Sequence, residues 1–448
     1  MNYSIITLIG DRKYMKVKKI HPYLFIIISF ICVIFVGTCL LALPISSKSG
    51  KSFGFFDSLF MATSATCVTG LATINVAFEM TVFGKVIMCL LMEIGGLSII
   101  TIGVFIFSIL GAKIGVSNRI LIKEALNQNS VKGIVALVRK IILLSLIIQF
   151  IGTIINLFAL VPYYGSFWKG LLVSIFHSVA SFNNAGFDIF GDSSMIEFSD
   201  NIILNSSTML MIILGSMGFV VITDIISKKS FKKLTLHSKI SIITTIILIV
   251  VGTILLKLCT SNITWLEAMF TSVSTRTAGF TTIDLSDLSP ASYSIIISLM
   301  FIGASPISTG GGIKTTTFAV ILISIFYFAR GKQNRVFKRK IPDTAIFKAF
   351  IIFVVAILAI FNCVVLISIA QPDLEFRKIL FEVVSAFSTT GLSMGITQAL
   401  NSFSKIVLSF LMLFGRLGPL TIIGVVNKKL FSETKESIRY VEEGVYIG

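Results

Sequence analysis

Histidine is scarce in this chain: His21, His177 and His237 are the only three in 448 residues, far apart, and neither an HExxH pair nor a serine elbow accompanies them. Hydrolytic metal chemistry and nucleophilic catalysis therefore lack a recognisable constellation, and an enzyme is not expected. Cysteine is equally uninformative. Cys32, Cys39, Cys67, Cys89, Cys259 and Cys363 include no CxxC pair, and four of them fall inside long apolar runs. That pattern implies neither a zinc site nor a disulfide framework. Charged residues make up only 13% of the chain, and no soluble domain stands apart from the apolar runs.

What is abundant is hydrophobicity: 55% of residues are apolar and mean hydropathy is +0.96. Such a chain is an integral membrane protein. Tyr23 to Leu43 is a 21-residue apolar run between Pro22 and Pro44, the length needed to cross a hydrocarbon core of roughly 30 Å as a helix. Comparable runs occupy Val82 to Leu110, Ile141 to Val161, Ile202 to Ile226, Ile240 to Leu256, Ser294 to Phe328, Ala349 to Ala370 and Ile406 to Val426. Eight spans are expected. The first follows Arg12, Lys13, Lys16, Lys18 and Lys19, but it is too long for a secretory signal and has no small-residue cleavage site, so it reads as uncleaved.

The net charge of +17 is topogenic. Basic residues gather at the N-terminus and at Lys113 to Lys140, Lys228 to Lys239 and Arg330 to Lys340, all on one side of an eight-span chain. The opposite side carries Asp192, Glu197, Asp200, Asp284, Asp287, Asp373 and Glu375. The positive-inside rule places both termini in the cytoplasm of a cell (plasma or inner) membrane protein. Spans account for the charge without nucleic acid, which is not an expected partner.

Between the two spans of each pair lies a short semi-apolar segment ending in small polar residues and a glycine. In order these read FMATSATCVTGLA (60–72), FHSVASFNNAGFD (176–188), MFTSVSTRTAGFT (269–281) and FEVVSAFSTTGLS (381–393). Aligned on Gly70, Gly186, Gly279 and Gly391, the position ten before is Phe60, Phe176, Met269 or Phe381, and the fifth before is small: Ala65, Ser181, Ser274 or Ala386. The glycines are 116, 93 and 112 residues apart, which reads as an internal repeat. The expected fold is an all-α membrane protein of four tandem span–pore helix–span repeats around one central pore with pseudo-four-fold symmetry. The repeats run 1–110, 111–227, 228–330 and 331–448.

Segments of ten to fourteen residues are too short to cross and suit re-entrant helices. Irregular backbone at membrane depth is tolerated where it lines a watery cavity. Glycine permits backbone angles that aim carbonyl oxygens inward, and rings of carbonyls replace the water shell of a potassium-sized cation. Each short helix also directs its partly negative C-terminus at that site. One such loop alone reads as an ordinary glycine turn; four read as a cation filter.

These residues resemble the Trk/Ktr/HKT superfamily of potassium transporters over nearly the whole chain, and most resemble the Ktr membrane subunit. The strongest local matches are STRTAGFTTID in the third copy and GGGIKTTT at 310–317. The family's usual Gln-Ile-Gly-Gly-Leu-Gly stretch is EIGGLS (93–98) here, and GSMGF (215–219) replaces a more glycine-rich counterpart, which puts packing of those spans and the role of Glu93 in question.

The resemblance implies potassium uptake, with or without sodium dependence, through a filter made of Val68, Thr69, Gly70, Asn184, Ala185, Gly186, Thr277, Ala278, Gly279, Thr389, Thr390 and Gly391, with potassium held at the four glycines. A serine in place of the first glycine goes with sodium permeability in the family, so Gly70 favours potassium. The resemblance also implies a homodimer on a cytosolic RCK/KTN-type nucleotide-binding regulatory ring that binds ATP or ADP; no cofactor is expected in this chain itself.

The apolar run Ser294 to Phe328 has 35 residues, about 52 Å as a helix. Its middle, SPISTGGGIKTTT (305–317), should break it. The motif is not a P-loop, because Ile313 separates glycine from Lys314. Kinked helix with a snorkelling lysine is one reading. The family implies an intramembrane gating loop at 303–317, involving Ser308, Thr309, Gly310, Gly311, Gly312 and Lys314. Arg416, midway along the last run, is costly there unless paired or facing water. It reads either as bound to Glu93 or a carbonyl, or, from the resemblance, as a pore-facing charge of the gate. Arg276 is expected to brace the filter from behind through the loop backbone or an acid, and His177 to be a packing residue. The competing function is a secondary transporter for another cation or small solute, which also uses broken helices but commonly shows two related halves rather than four copies.

Overall fold

The computed structural model describes residues 22–109, 133–191, 194–286 and 288–426. The N-terminal basic cluster, His21, Lys113, Asp192, Asp287 and residues 427–448 lie outside the described residues.

An order of long helix, short helix, glycine loop and broken helix recurs four times. It comprises α1 (Pro22–Leu41), α2 (Phe55–Thr66), α3 (Val82–Leu97) and α4 (Ile99–Ile109), then α5 (Ile134–Tyr164), α6 (Phe167–Asn183), α7 (Ile202–Ser216) and α8 (Phe219–Lys228). These are followed by α9 (Leu236–Cys259), α10 (Trp265–Ser274), α11 (Pro290–Phe301) and α12 (Thr315–Ala329), and by α13 (Asp343–Ala370), α14 (Phe376–Ser388), α15 (Ser402–Leu417) and α16 (Pro419–Val426). The all-α expectation needs one amendment, a small hairpin pairing Arg335–Val336 with Arg339–Lys340.

Among the described residues, α1, α5, α9 and α13 are long and apolar enough to cross a membrane, and α7 with α8 forms a further candidate bent by 95°. The chain is a multi-pass membrane protein, and its helices are dressed accordingly. On α5 the buried face carries Ser145, Gln149, Gly152 and Asn156, whereas Leu146, Phe150 and Phe158 are exposed. Small and polar groups face the protein and apolar bulk faces lipid.

The second run of every repeat is interrupted, not only the sixth run as the sequence reading expects. Ser98 has φ 72°, Gly218 91° and Gly418 82°, and residues 302–314 separate α11 from α12. These breaks need only one or two residues in the left-handed region, so composition hardly marks them. The four interrupted helices start alike: Thr81, Asn201, Ser289 and Asn401 each accept the first-turn amide three residues on, satisfying a donor that the helix leaves free.

The ungapped alignment of the repeats is off by one in the third copy. Phe60, Phe176 and Phe381 are buried, but Met269 is 40% exposed and Phe270 is fully buried. In copies one, two and four the residue before the glycine donates its N–H to the carbonyl five residues back: Thr69 to Ser64, Ala185 to Ala180, Thr390 to Ser385. In the third copy Ala278 reaches back four, to Ser274. The third loop is one residue shorter, so Ser64, Ala180, Ser274 and Ser385 are the equivalent positions.

Candidate functional site

The four short helices end against one another through their glycine loops. In each loop the residue two before the glycine has positive φ, 60° at Val68, 58° at Asn184, 77° at Thr277 and 52° at Thr389, and so does the glycine itself, at 97°, 68°, 82° and 93°. Alternating handedness turns successive peptide groups to the same side. The hydrogen bonds show which side. Thr69 N donates to Ser64 O at 2.7 Å and Gly70 N to Ser64 Oγ at 3.1 Å; Ala278 and Gly279 N both donate to Ser274 O; Thr390 N donates to Ser385 O at 2.9 Å and Gly391 N to Ser385 Oγ at 3.0 Å. With amides spent on the short helix, the carbonyls on the other ends of those peptides point away from it.

Those carbonyls and glycines interlock in chain order. A methyl group built on Gly70 would lie 2.6 Å from Ala185 O, and one on Gly186 2.8 Å from Ala278 O; on Gly279 it would strike Thr390 O, and on Gly391, Thr69 O. Each glycine thus abuts the carbonyl just before the next glycine, and the fourth abuts that of the first. Four loops close a ring of carbonyl oxygens that only glycine at these positions leaves uncrowded.

Beneath the ring, residues 302–314 fold back between the inner ends of the short helices. Thr309 Oγ1 donates to Phe182 O at 3.2 Å and its N–H to Gly215 O at 3.2 Å; Gly311 N donates to Thr389 Oγ1 at 3.0 Å. Lys314 Nζ curls onto Gly310 O at 2.6 Å rather than snorkelling. Arg416 donates to Thr309 O from one nitrogen and to Gly95 O and Gly96 O, at 2.5 and 2.8 Å, from the other. Loop and arginine together touch all four copies. Arg416 is satisfied by carbonyls, not by Glu93.

The TrkH cation transport protein family matches residues 10–265 and 234–438. The chain belongs to that family. It is 37% identical over 446 residues to the Ktr system potassium uptake protein D of Bacillus subtilis, covering 96% of this chain and 98% of that one. It is equally similar, with the same coverage, to the potassium/sodium uptake protein NtpJ of Enterococcus hirae. The crystal structure of the potassium transporter TrkH from Vibrio parahaemolyticus superposes with a TM-score of 0.73 at 19% identity, over 94% of this chain and 87% of that one, a likeness of fold. The chain is a Trk/Ktr-type cation transport protein, and that family is not an enzyme class.

Within this Trk/Ktr frame the departures from the family pattern keep their packing. A methyl on Gly95 would strike Thr66 O, one on Gly215 Phe182 O, and one on Gly415 Phe387 O. In each case a glycine on the first half of the broken helix seats the last turn of the short helix, a recurrence hidden in the sequence by its different surroundings. Glu93 accepts from Asn183 Nδ2 at 2.7 Å, Gln149 Nε2 at 2.8 Å and Ser145 Oγ at 3.3 Å. It anchors the residue that precedes the second loop.

Arg276 is 1% exposed and lies behind the third loop, but among the described residues its guanidinium bonds neither an acid nor loop backbone. Nη2 meets Thr245 Oγ1 on α9 at 3.4 Å, while Nε finds no partner among the described residues. His177 packs as expected, with Nε2 2.7 Å from Thr208 Oγ1 and its ring 5.0 Å from those of Phe190 and Phe280. Asp284, between the third loop and α11, is held below the ordinary carboxylate range by the N–H and hydroxyl of Ser286. On the opposite side the two basic segments meet: Lys239 Nζ stands 5.7 Å over the Phe231 ring and 5.3 Å over Phe337 of the hairpin. His237 lies at that border.

Proposed function

We propose that this protein takes up potassium across the cell membrane by channel-like passage through one filter built from its four glycine loops. The observation that carries the reading is the closed, chain-ordered contact of each glycine with the next loop's carbonyl. Carbonyl rings of this kind replace a cation's hydration shell. Eight spans in four repeats, at the boundaries given above, surround the axis, and both termini lie in the cytoplasm. No chemical step is required, because an inside-negative potential of 100 mV is worth about 2.3 kcal/mol per charge, or roughly 50-fold accumulation.

The 302–314 loop is the gate in this proposal, with Gly310, Gly311 and Gly312 across the path, Ser308 bonded within the loop to Ser305 O at 2.5 Å, and Lys314 and Arg416 as the charges that hold it shut. A homodimer rests on a cytosolic RCK/KTN-type ring whose ATP or ADP state moves the loop. The joined basic surface around Lys239 supports docking on the cytoplasmic side, and the name Ktr system, carried by a similar protein, suits a complex of several components.

The test is flux of potassium and of sodium into proteoliposomes, with the regulatory ring supplied, comparing native protein with Gly279→Ser. Potassium-preferring flux that loses preference or rate in the variant supports the filter. Unchanged selectivity in the variant, or absence of cation flux from the folded complex, returns a secondary transporter to the front. Running the assay with and without external sodium separates a potassium path from a coupled potassium/sodium one.

A further inference from the structure

A groove of about 720 Å³ opens on the outer surface of the helical body between α11, α13 and α14. Its floor is Ile360, Val364 and Val384, all buried, and its rim includes the exposed Phe361, Ile369 and Phe376. It runs along α13 from Ile357 to Ile369, a length of about 18 Å at 1.5 Å per residue. One leaflet of a bilayer hydrocarbon core is about 15 Å deep. The groove therefore has the length and the apolar lining to hold a single acyl chain.

Past Phe376, at one end of the groove, the apolar lining gives way to charged neighbours. Arg377 and Lys378, in the first turn of α14, share one carboxylate, Glu375, at 3.4 and 3.5 Å, and all three side chains are substantially exposed. Such exposed pairs are weak and open to exchange. The same turn carries no side-chain cap, so its leading amides and the helix N-terminus add to the attraction for an anion. Tyr293 ties this end together by donating its hydroxyl to Arg377 O. At the other end the groove reaches Phe301, the last residue before the 302–314 loop, whose ring lies 6.2 Å from that of Phe387 on α14.

We propose that the groove is a phospholipid site: one acyl chain lies along α13 and the phosphate meets Arg377, next to the rim residue Phe376. The bound chain wedges between the helix that enters the gating loop and the helix that carries the fourth filter glycine. A second copy of the protein is the competing occupant, and the exposed basic charge of Arg377 beside the rim favours an anionic lipid phosphate.

The experiment is native mass spectrometry of the purified full chain titrated with phosphatidylglycerol or phosphatidylethanolamine. It compares native protein with Val365→Trp and Ser368→Phe, which fill the groove from its rim, and with Arg377→Gln, which removes a phosphate partner. One tightly held phospholipid per chain is expected, retained at least tenfold less by each filled variant and severalfold less by Arg377→Gln. Preference for phosphatidylglycerol would show that net headgroup charge contributes, and equal retention of both lipids that phosphate alone suffices; either fits the site. Native-like lipid retention in the filled variants overturns the proposal, as does conversion of a native dimer to monomers by both of them, which would assign the groove to the partner copy.

Discussion

Arg416, on the last interrupted helix, donates a hydrogen bond to the carbonyl oxygen of Thr309, at the tip of a loop that belongs to the preceding repeat. The same guanidinium reaches Gly95 O and Gly96 O in the first repeat. A buried cation at this depth is tolerated because carbonyls satisfy it, and in the proposed gate it is the latch. Charge-assisted hydrogen bonds are worth about 1.5–3 kcal/mol each, so Arg416→Met is expected to raise potassium flux in proteoliposomes about tenfold or more. Deleting residues within 308–314 should act in the same direction. Lower or unchanged flux in a folded, correctly inserted variant would show that the arginine supports the path rather than blocking it.

The glycine seats make a prediction about stability. Gly95→Ala, Gly215→Ala and Gly415→Ala each push a methyl into a carbonyl at the end of a short helix, an overpacking that costs about 1–3 kcal/mol. Gly103→Ala, where a methyl meets nothing within 4 Å, serves as the control. Thermal unfolding in detergent should fall for the first three and not for the fourth. A control as damaging as the others would mean that helix flexibility, not seating, sets the need for glycine.

Glu93 should act on the second loop through Asn183. Glu93→Ala takes one acceptor from each of the Asn183 and Gln149 amides, leaving them only Val179 O and Ser145 Oγ, and is expected to lower both thermal stability and potassium preference, whereas Glu93→Gln keeps one acceptor oxygen and should fall between. Selectivity measured by reversal potential separates this from a purely structural role. Native stability and selectivity in Glu93→Ala would remove the anchor from the account.

The basic surface carries a prediction about assembly. Reversing charge at Lys232, Lys233, Arg335 and Arg339, on the two segments that Lys239 joins, should abolish co-purification with the nucleotide-binding ring and leave basal flux in place. Undiminished complex formation and nucleotide activation would reduce these residues to topology alone.

Much of this arrangement is legible in the residues, for physical reasons that also explain the gaps. The four loops stand out because small polar residues and glycine interrupt apolar sequence, and the break at 302–314 because a proline, three glycines and a lysine cannot sit in a continuous lipid-facing helix. The breaks at Ser98, Gly218 and Gly418 are hidden because one positive φ suffices and the neighbours stay apolar. The shorter third loop escapes an alignment on glycine, since Met269 and Phe270 are both apolar and only burial tells them apart. For Arg416 the carbonyl alternative of the sequence reading holds rather than Glu93, whereas the Arg276 partner is a threonine hydroxyl, which sequence does not mark as a counter-ion.

The central claim is that four loops act as one filter, and the direct measurement is the potassium-to-sodium permeability ratio of four single variants: Gly70→Ser, Gly186→Ser, Gly279→Ser and Gly391→Ser. Because each glycine abuts the next loop's carbonyl around a closed ring, all four should lose discrimination in the same direction. If one or more folded variants keep the native ratio, the ring does not select as a unit and the proposed filter is contradicted.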